Sequence, residues 1–221
     1  MKATLYPRKK IRLEWFKFES VPFEINRETE VKYNVSSAQY DKLTHITKIQ
    51  YIFNNLNKDI PQTDLIVMEQ GLPTLYSKTP GSVAGKLSSE KHDDTSIEIN
   101  DLLVKVERGK EEIKREPPEH PDPRIKEIET RRRKDLIQRK ITLKNISNKR
   151  VQNLKLKYIE VKEVRYESSV PEPTKKDLPE YIWEISLDPD QSTSVELSVV
   201  VEIVKTFRIE KEPVVRSQKF E

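Results

Sequence analysis

The chain has 221 residues, no cysteine, and 41 basic against 37 acidic residues, for a formal net charge of +4. Without cysteine, a disulfide framework and a thiolate metal site are excluded. The apolar runs are far shorter than the roughly 20 residues that cross a membrane, so we expect a soluble, cytoplasmic protein.

The apolar residues indicate the fold class. Ile and Val total 38 residues whereas Ala occurs three times, which favours strands because β-branched residues suit pleated sheets and Ala is the best helix former. Charged residues make up 35% of the chain, a composition typical of hyperthermophile proteins and also of very soluble mesophilic ones. Alternating apolar and polar residues predict half-buried antiparallel strands at Ile11–Phe18, Val31–Val35, Ile97–Ile99, Leu102–Val106, Ile141–Leu143, Leu154–Leu156 and Val195–Val199.

The segment Ser36–Lys58 fits either a helix or a strand. Its apolar residues have helical spacing, but Thr47–Phe53 also alternates. A comparison at an offset of 91 residues favours the strand, because Ile52–Glu69 matches Leu143–Glu160 with five identities. Both windows are typical of strand, polar turn and strand. We expect a true duplication of a sandwich domain of about 100 residues; the alternative is that any two hairpins share such alternation.

A proline cluster divides the chain. Four prolines lie within residues 117–123, and proline lacks the backbone donor that a helix interior or a central strand needs. We expect a semi-rigid linker over 111–124, between an N-terminal sandwich at 1–110 and a C-terminal sandwich at 125–221.

Three further segments interrupt the predicted strands. Asp122 predicts the cap of a short helix that begins at Pro123. Long loops are expected at 71–94, which holds three of the four glycines, and at 168–180, which holds three prolines. Long irregular loops are often functional, so these two are candidate binding surfaces.

The C-terminal half contains a series of strand motifs whose order resembles that of a known domain family. Its motifs are Ile141–Asn145, Val151, Leu154, Leu156, Glu160, Tyr181–Leu187 around Trp183, Pro189, and Val195–Val204. Over 139–210 this order resembles the β-sandwich domain of unknown function found in mucoidy-inhibitor-like proteins, without the coiled-coil region that usually accompanies it. The resemblance implies an immunoglobulin-like antiparallel sandwich and no reaction. Independently, a Trp in mid-strand is typical of the space between two sheets.

Two motifs resemble known binding sites but lack residues or spacing that those sites require. Thr79–Leu87 looks like a phosphate loop, but only three residues separate its glycines, and Leu87 stands where Mg²⁺ needs Ser or Thr. Glu90–Asp94 groups metal-capable side chains, but strand neighbours point to opposite faces. We expect solvated loops at both, with no metal and no cofactor. No catalytic motif is present, which favours a non-enzyme; a hydrolase with an unrecognised carboxylate pair is the alternative.

The most concentrated charge is basic and lies within residues 131–140. It comprises Arg131, Arg132, Arg133, Lys134, Arg139 and Lys140. Clustered Lys and Arg are what phosphate contacts need, so the cluster predicts nucleic-acid binding as one function. Acidic neighbours such as Glu129 and Asp135 dilute the charge, and no aromatic residue is interleaved. A solvated, salt-bridged connector is the alternative that we favour.

The sequence therefore predicts an all-β protein: two tandem antiparallel immunoglobulin-like β-sandwiches joined by a Pro- and charge-rich connector. The function expected is that of a non-catalytic protein-interaction or assembly module, acting through loops and sheet edges. The expected partner is another protein or a second copy of the chain. Nucleic-acid binding is the less favoured alternative, and no membrane contact is expected.

Overall fold

The computed structural model describes residues 21–69, 72–83, 85–120 and 124–210, and their regular secondary structure is β-strand apart from one 3-10 turn. The strands are β1 (Phe23–Val31), β2 (Lys42–Thr44), β3 (Thr47–Phe53), β4 (Thr63–Glu69), β5 (Leu72–Thr79), β6 (Leu87–Ser88), β7 (His92–Asp94), β8 (Ile97–Glu107), β9 (Glu112–Glu116), β10 (Ile125–Asn145), β11 (Val151–Ile159), β12 (Val164–Val170), β13 (Lys175–Asp177), β14 (Glu180–Leu187) and β15 (Ser192–Glu210). A 3-10 turn lies at Ser37–Gln39. The predicted all-β class is confirmed, as is the strand at Thr47–Phe53. The predicted strand at Ile11–Phe18 lies outside the described residues.

The described residues form two compact units. The small unit comprises 21–26 and 50–92, and the large unit comprises 27–49 and 93–210. In the small unit, β4 and β5 form an antiparallel hairpin, and the end of β3 pairs with β6. Within the described parts of both units, no helix is long and apolar enough to span a membrane.

The large unit is a β-sandwich of two sheets. The first has the order β13-β14-β11-β1-β3, in which β1 runs parallel to β11 from Arg27 to Val31. The second has the order β12-β15-β10-β8-β2, with β9 added to β10. The long strands β10 and β15 pair antiparallel over almost their whole lengths, from Ile125 to Lys144 of β10.

One hydrophobic core lies between these sheets. It includes Leu154, Leu156 and Trp183 from the first sheet and Ile137 and Val199 from the second. The polar–apolar alternation of the strands produces it, because every second side chain faces inward. Trp183 is 2% exposed, which confirms its predicted place in the core.

The strand pairing groups the chain differently from the predicted tandem sandwiches at 1–110 and 125–221. β8 lies in the first predicted domain, yet it pairs antiparallel with β10 in the second. β1 likewise pairs with β11. A single sandwich therefore takes strands from both halves, and its long-range pairings leave no signature in local periodicity.

The predicted linker at 111–124 contains a strand. β9 (Glu112–Glu116) pairs antiparallel with Ile128–Arg132 of β10, so this part of the predicted linker lies along the sheet instead of separating two domains. The backbone just before it also packs closely, since a Cβ added at Gly109 would lie 2.1 Å from the Lys134 carbonyl oxygen. Asp122 and Pro123, where the short helix was predicted to begin, lie outside the described residues, and the residues that follow from Ile125 belong to strand β10 and not to a helix. The alternation of β10 outweighs the capping signal.

The proposed duplication does not reappear as equivalent structure. In the first window β3 and β4 pair with β6 and β5, respectively. In the second window β10 and β11 belong to opposite sheets of the large unit. The likeness of the windows thus ends at strand, turn and strand.

The two segments predicted to be long loops also contain strands. Residues 71–94 include all of β5, β6 and β7, and residues 168–180 include the end of β12 and all of β13. The irregular stretches between these strands are short, which weakens both segments as loop-type binding surfaces.

Candidate functional site

The predicted basic cluster lies on one strand, β10, whose geometry divides it. Successive side chains of a strand point to opposite faces. Arg131, Arg133 and Arg139 share the parity of the buried Asp135, whereas Arg132, Lys134 and Lys140 are exposed on the other face. The six residues therefore do not form one basic surface.

Arg139 is the clearest departure from the nucleic-acid prediction, because its side chain is 0% exposed. Its Nε donates to Asp101 Oδ1 at 2.7 Å, and its Nη1 donates to the carbonyl oxygens of Ala38 and Tyr40 at 2.9 and 2.8 Å. A guanidinium held in this way is not accessible to a phosphate, so Arg139 is removed from the predicted nucleic-acid site.

Arg131 and Arg133 are both engaged with carboxylates. Glu129 accepts from Arg131 Nε at 2.6 Å and from Arg115 Nε at 2.8 Å. These hydrogen bonds, that of Arg131 first, hold the pKa of Glu129 below its ordinary value. Arg133 donates twice to Asp135, at 2.8 and 3.0 Å. This face of β10 fits the salt-bridged alternative that the sequence favoured.

The outward residues are flanked by acidic side chains as well. In the strand register Arg132 lies opposite Glu112, and Lys134 lies opposite Glu202. Lys140 Nζ is 4.0 Å from Glu196 Oε1. Alternating signs of this kind weaken the local positive potential, which depends on clustered like charges.

A buried polar cluster surrounds Asp101 of β8. Besides the Arg139 contact, Asp101 Oδ2 accepts from the hydroxyl of Tyr33 at 2.8 Å and lies 2.8 Å from Nε2 of His45. The Arg139 guanidinium also lies over the Tyr33 ring, 5.2 Å from its centroid. A His–Asp pair occurs in many catalytic sites, but this carboxylate is shared with an arginine and a tyrosine, an arrangement that fixes β8 and β10 to the chain between β1 and β3.

Sequence reasoning missed this cluster, although a signal was present. Asp101 follows Ile97 and Ile99 at the inward parity of β8, and Arg139 stands between Ile137 and Ile141 at the inward parity of β10. Two opposite charges at core positions predict a buried pair, because an unpaired buried charge is prohibitively unfavourable.

Alkaline pH should destabilise the protein through buried tyrosines. Burial and the Asp101 carboxylate raise the pKa of Tyr33 well above its ordinary value, and burial with a hydrogen bond to Glu160 raises the pKa of Tyr181 to about 12. In the unfolded chain both ionise near pH 10, so above about pH 10 the unfolded state loses protons that the folded state keeps.

The stabilisation from these tyrosines is thus complete below about pH 10 and is lost as the pH rises toward the folded pKa. We expect the free energy of unfolding to fall by up to about 1.4 kcal/mol per pH unit for each tyrosine, measured by urea titration at increasing pH. The Tyr181→Phe variant should show a shallower slope. A free energy that stays constant to about pH 11 would contradict the prediction.

The metal-capable residues of Glu90–Asp94 have separate partners. His92 Nε2 lies 2.7 Å from Ser77 Oγ, in the small unit. In the large unit, Asp94 Oδ2 accepts from Arg27 Nε at 2.8 Å, and Asp93 pairs with Lys48. Within the described ranges, no group of three His, Asp or Glu side chains could hold a metal ion.

An open sheet edge lies along the last part of β15. β12 pairs with β15 only up to Val201, whereas β10 pairs with it to Glu210. Of the strands that the structure describes, none covers the outer edge of Glu202–Glu210. Val204 is 50% exposed and Phe207 is 44% exposed. A long strand edge with apolar side chains is a template for another strand.

One hydrogen bond shows which backbone groups face this edge. The Glu202 N–H donates to the Glu163 carbonyl oxygen at 2.8 Å, on the β12 side. Because the backbone polar groups of a strand alternate between its two edges, the N–H and C=O of Val204, Thr206 and Arg208 point outward. The odd-numbered residues direct theirs to β10.

A concavity marks the point where β12 ends and the open edge begins. It has a volume of about 630 Å³ and is lined by Val35, Arg132, Lys162, Glu163 and Glu202–Lys205. Three basic and two acidic side chains surround an apolar floor.

Comparisons with known proteins do not extend this description: no family model, no curated protein and no solved structure gives a significant match to the chain. The resemblance to the domain of mucoidy-inhibitor-like proteins therefore stays a prediction.

Proposed function

We propose that this chain is a non-catalytic protein-interaction or assembly module that binds an extended protein segment along the open edge of β15. The observation that carries the proposal is the nine-residue stretch Glu202–Glu210, which pairs with β10 on one side and with none of the described strands on the other. Strand addition at such an edge derives its affinity from backbone hydrogen bonds and its specificity from alternate side chains.

The composition of β15 supports this choice of edge. The five residues of β9 are all exposed, four of them are charged, and two prolines follow, which are features that protect an edge from pairing. The open part of β15 instead carries Ile203, Val204, Phe207 and Ile209 without a proline. It therefore lacks most of the protection that β9 has.

The side chains of the edge also restrict the partner. Lys205 and Arg208 lie on the open stretch, and both are exposed. A partner strand should therefore have apolar residues together with uncharged or acidic residues opposite these two positions, since like charges in directly opposed pairs are destabilising. We further propose that the large unit is an immunoglobulin-like sandwich and that the protein acts in the cytoplasm, in keeping with the absence of cysteine.

Proline at position 206 provides a direct test. Because the Thr206 N–H faces away from β10, Thr206→Pro removes a donor from the open edge without removing a β10–β15 hydrogen bond. We expect this variant to keep its fold and to lose partner binding by about tenfold or more. Thr206→Val, which keeps the N–H, should bind like the unsubstituted protein.

The measurement is affinity co-purification from native lysate with the three proteins, at low and high salt and after nuclease treatment. A protein retained in high salt by the unsubstituted chain and by Thr206→Val, but not by Thr206→Pro, supports the proposal. Equal retention by all three contradicts it. Association that vanishes with salt or nuclease would favour nucleic-acid binding through the outward residues Arg132, Lys134 and Lys140.

A further inference from the structure

We infer that β9 is a releasable strap, which separates from β10 by local opening while the sandwich of the large unit stays folded. In the closed state β9 covers the edge of β10 from Ile128 to Arg132 and keeps that edge from pairing with another strand. In the open state the edge is exposed. The inference does not depend on the proposed function, which concerns the edge of β15.

β9 buries very little surface. All five of its residues are exposed, including Ile113 at 52%, and among the described strands it pairs with β10 alone. A segment with few buried apolar contacts and solvent-exposed backbone hydrogen bonds opens at a small fraction of the free energy of global unfolding. On the other side of β10, β15 instead continues without interruption from Val195–Val201, whose odd-numbered residues lie in the core.

The release of β9 leaves no buried charge without a partner. Arg115, whose side chain is 61% exposed, joins β9 to β10 by donating from its Nε to Glu129 Oε2 at 2.8 Å. Glu129 also accepts from Arg131 Nε at 2.6 Å, within β10 itself. The carboxylate therefore keeps a cationic donor in the open state, so opening avoids the large penalty of an unpaired buried charge.

The strap has a fixed point at its start. The Gly109 N–H donates to Asp135 Oδ1 at 3.1 Å, and a Cβ added at Gly109 would lie 2.1 Å from the Lys134 carbonyl oxygen. The pairing of β8 with β10 ends at Glu107, and that of β9 begins at Glu112. Opening from Glu112 onward therefore leaves the β8–β10 ladder intact.

Adjacent amides of β10 report on its two neighbours separately. Arg131 lies opposite Lys205, whose backbone groups face β10, so the Arg131 N–H donates to β15. Because the backbone polar groups of a strand alternate between its two edges, the N–H groups of Thr130 and Arg132 point to β9. Hydrogen exchange of these three amides therefore compares the release of β9 with the release of β15 at one place in the sheet.

We expect hydrogen exchange, followed by two-dimensional NMR, to give Thr130 and Arg132 protection factors at least about 100-fold lower than that of Arg131. Arg115→Ala should lower the protection factors of Thr130 and Arg132 by about fivefold and leave that of Arg131 unchanged. Lys114→Ala is the matched control, because Lys114 pairs with Glu116 of its own strand. It should leave all three protection factors unchanged.

A covalent lock tests the same motion in the other direction. Lys114 and Thr130 are directly opposed as a hydrogen-bonded pair, with Cα atoms about 5.5 Å apart, a separation that a disulfide spans. Since the chain has no cysteine, the double variant Lys114→Cys/Thr130→Cys holds one pair of thiols. Its oxidation should raise the protection factor of Arg132 to within about tenfold of that of Arg131, and its reduction should reverse the change.

Two results would overturn the inference. Equal protection of Thr130, Arg131 and Arg132 in the unsubstituted protein would mean that β9 opens only together with the rest of the sheet. A disulfide that forms completely and leaves the protection of Arg132 as it is in the reduced protein would mean that the exchange of this amide does not require the release of β9.

Discussion

Replacing Asp101 with alanine is expected to lower the free energy of unfolding by about 3–5 kcal/mol. The substitution leaves the guanidinium of Arg139 fully buried without its carboxylate, and it removes the acceptor of the Tyr33 hydroxyl and the partner of His45. A buried charge without its partner keeps its desolvation penalty and loses the compensating attraction. Urea unfolding at neutral pH, followed by circular dichroism, measures the change.

An acidic residue on the same strand offers a matched control. Glu107 pairs with Lys105, and both side chains are about half exposed, at 48% and 58%. We expect Glu107→Ala to change the free energy of unfolding by at most about 1 kcal/mol, because water screens exposed ion pairs. If Asp101→Ala has an effect as small as that of Glu107→Ala, the cluster does not stabilise the large unit in the way that its geometry indicates.

The buried cluster around Asp101 connects the strands on which the open edge of β15 depends. Asp101, Arg139, Tyr33 and His45 come from β8, β10 and the segment that joins β1 to β3. Their hydrogen bonds tie β8 and β10 to that segment. β10 extends beyond these contacts and pairs with β15 to Glu210. Under the proposed function, the edge of β15 would meet a partner as a preformed strand, a condition that lowers the entropy lost on binding.

The sequence allowed the fold class and much of the strand content to be predicted, because both depend on local alternation. Trp183 could be placed in the core for the same reason. The pairing partners could not be predicted, since β1 with β11 and β8 with β10 join residues far apart in the chain. The proline cluster led to the wrong prediction of a linker, because β9 lies beside β10 as an edge strand, where nearby prolines are tolerated.

The candidate sites show the same limit. The parity of β10 was sufficient to show that Arg139 belongs with the inward Ile137 and Ile141, but a run of basic residues was interpreted as one patch. The open edge of β15 was beyond prediction, because it depends on where β12 stops pairing, at Val201. A sheet edge is a property of the whole topology and leaves no local pattern.

Replacing Trp183 with alanine is expected to lower the free energy of unfolding by about 3–5 kcal/mol. Trp183 lies opposite Leu156 in the first sheet and is 2% exposed, so truncation leaves a large cavity in a core that can collapse only in part. Chemical denaturation of the two proteins, with the slope against urea compared, measures the loss and tests whether unfolding stays two-state.

Trp183→Phe separates packing from hydrogen bonding. The Trp183 indole N–H donates to the Pro171 carbonyl oxygen at 2.9 Å, and the Ser169 hydroxyl donates to the same oxygen at 2.9 Å. The carbonyl oxygen therefore keeps one donor in the phenylalanine variant. We expect the free energy of unfolding to fall by about 1–2 kcal/mol, chiefly because of the lost side-chain volume. Equal destabilisation of the phenylalanine and alanine variants would contradict this expectation. Trp183 would then stabilise the fold through its indole hydrogen bond and not through the volume that it fills, and the interior of the sandwich would tolerate cavities far better than the burial of Trp183 implies.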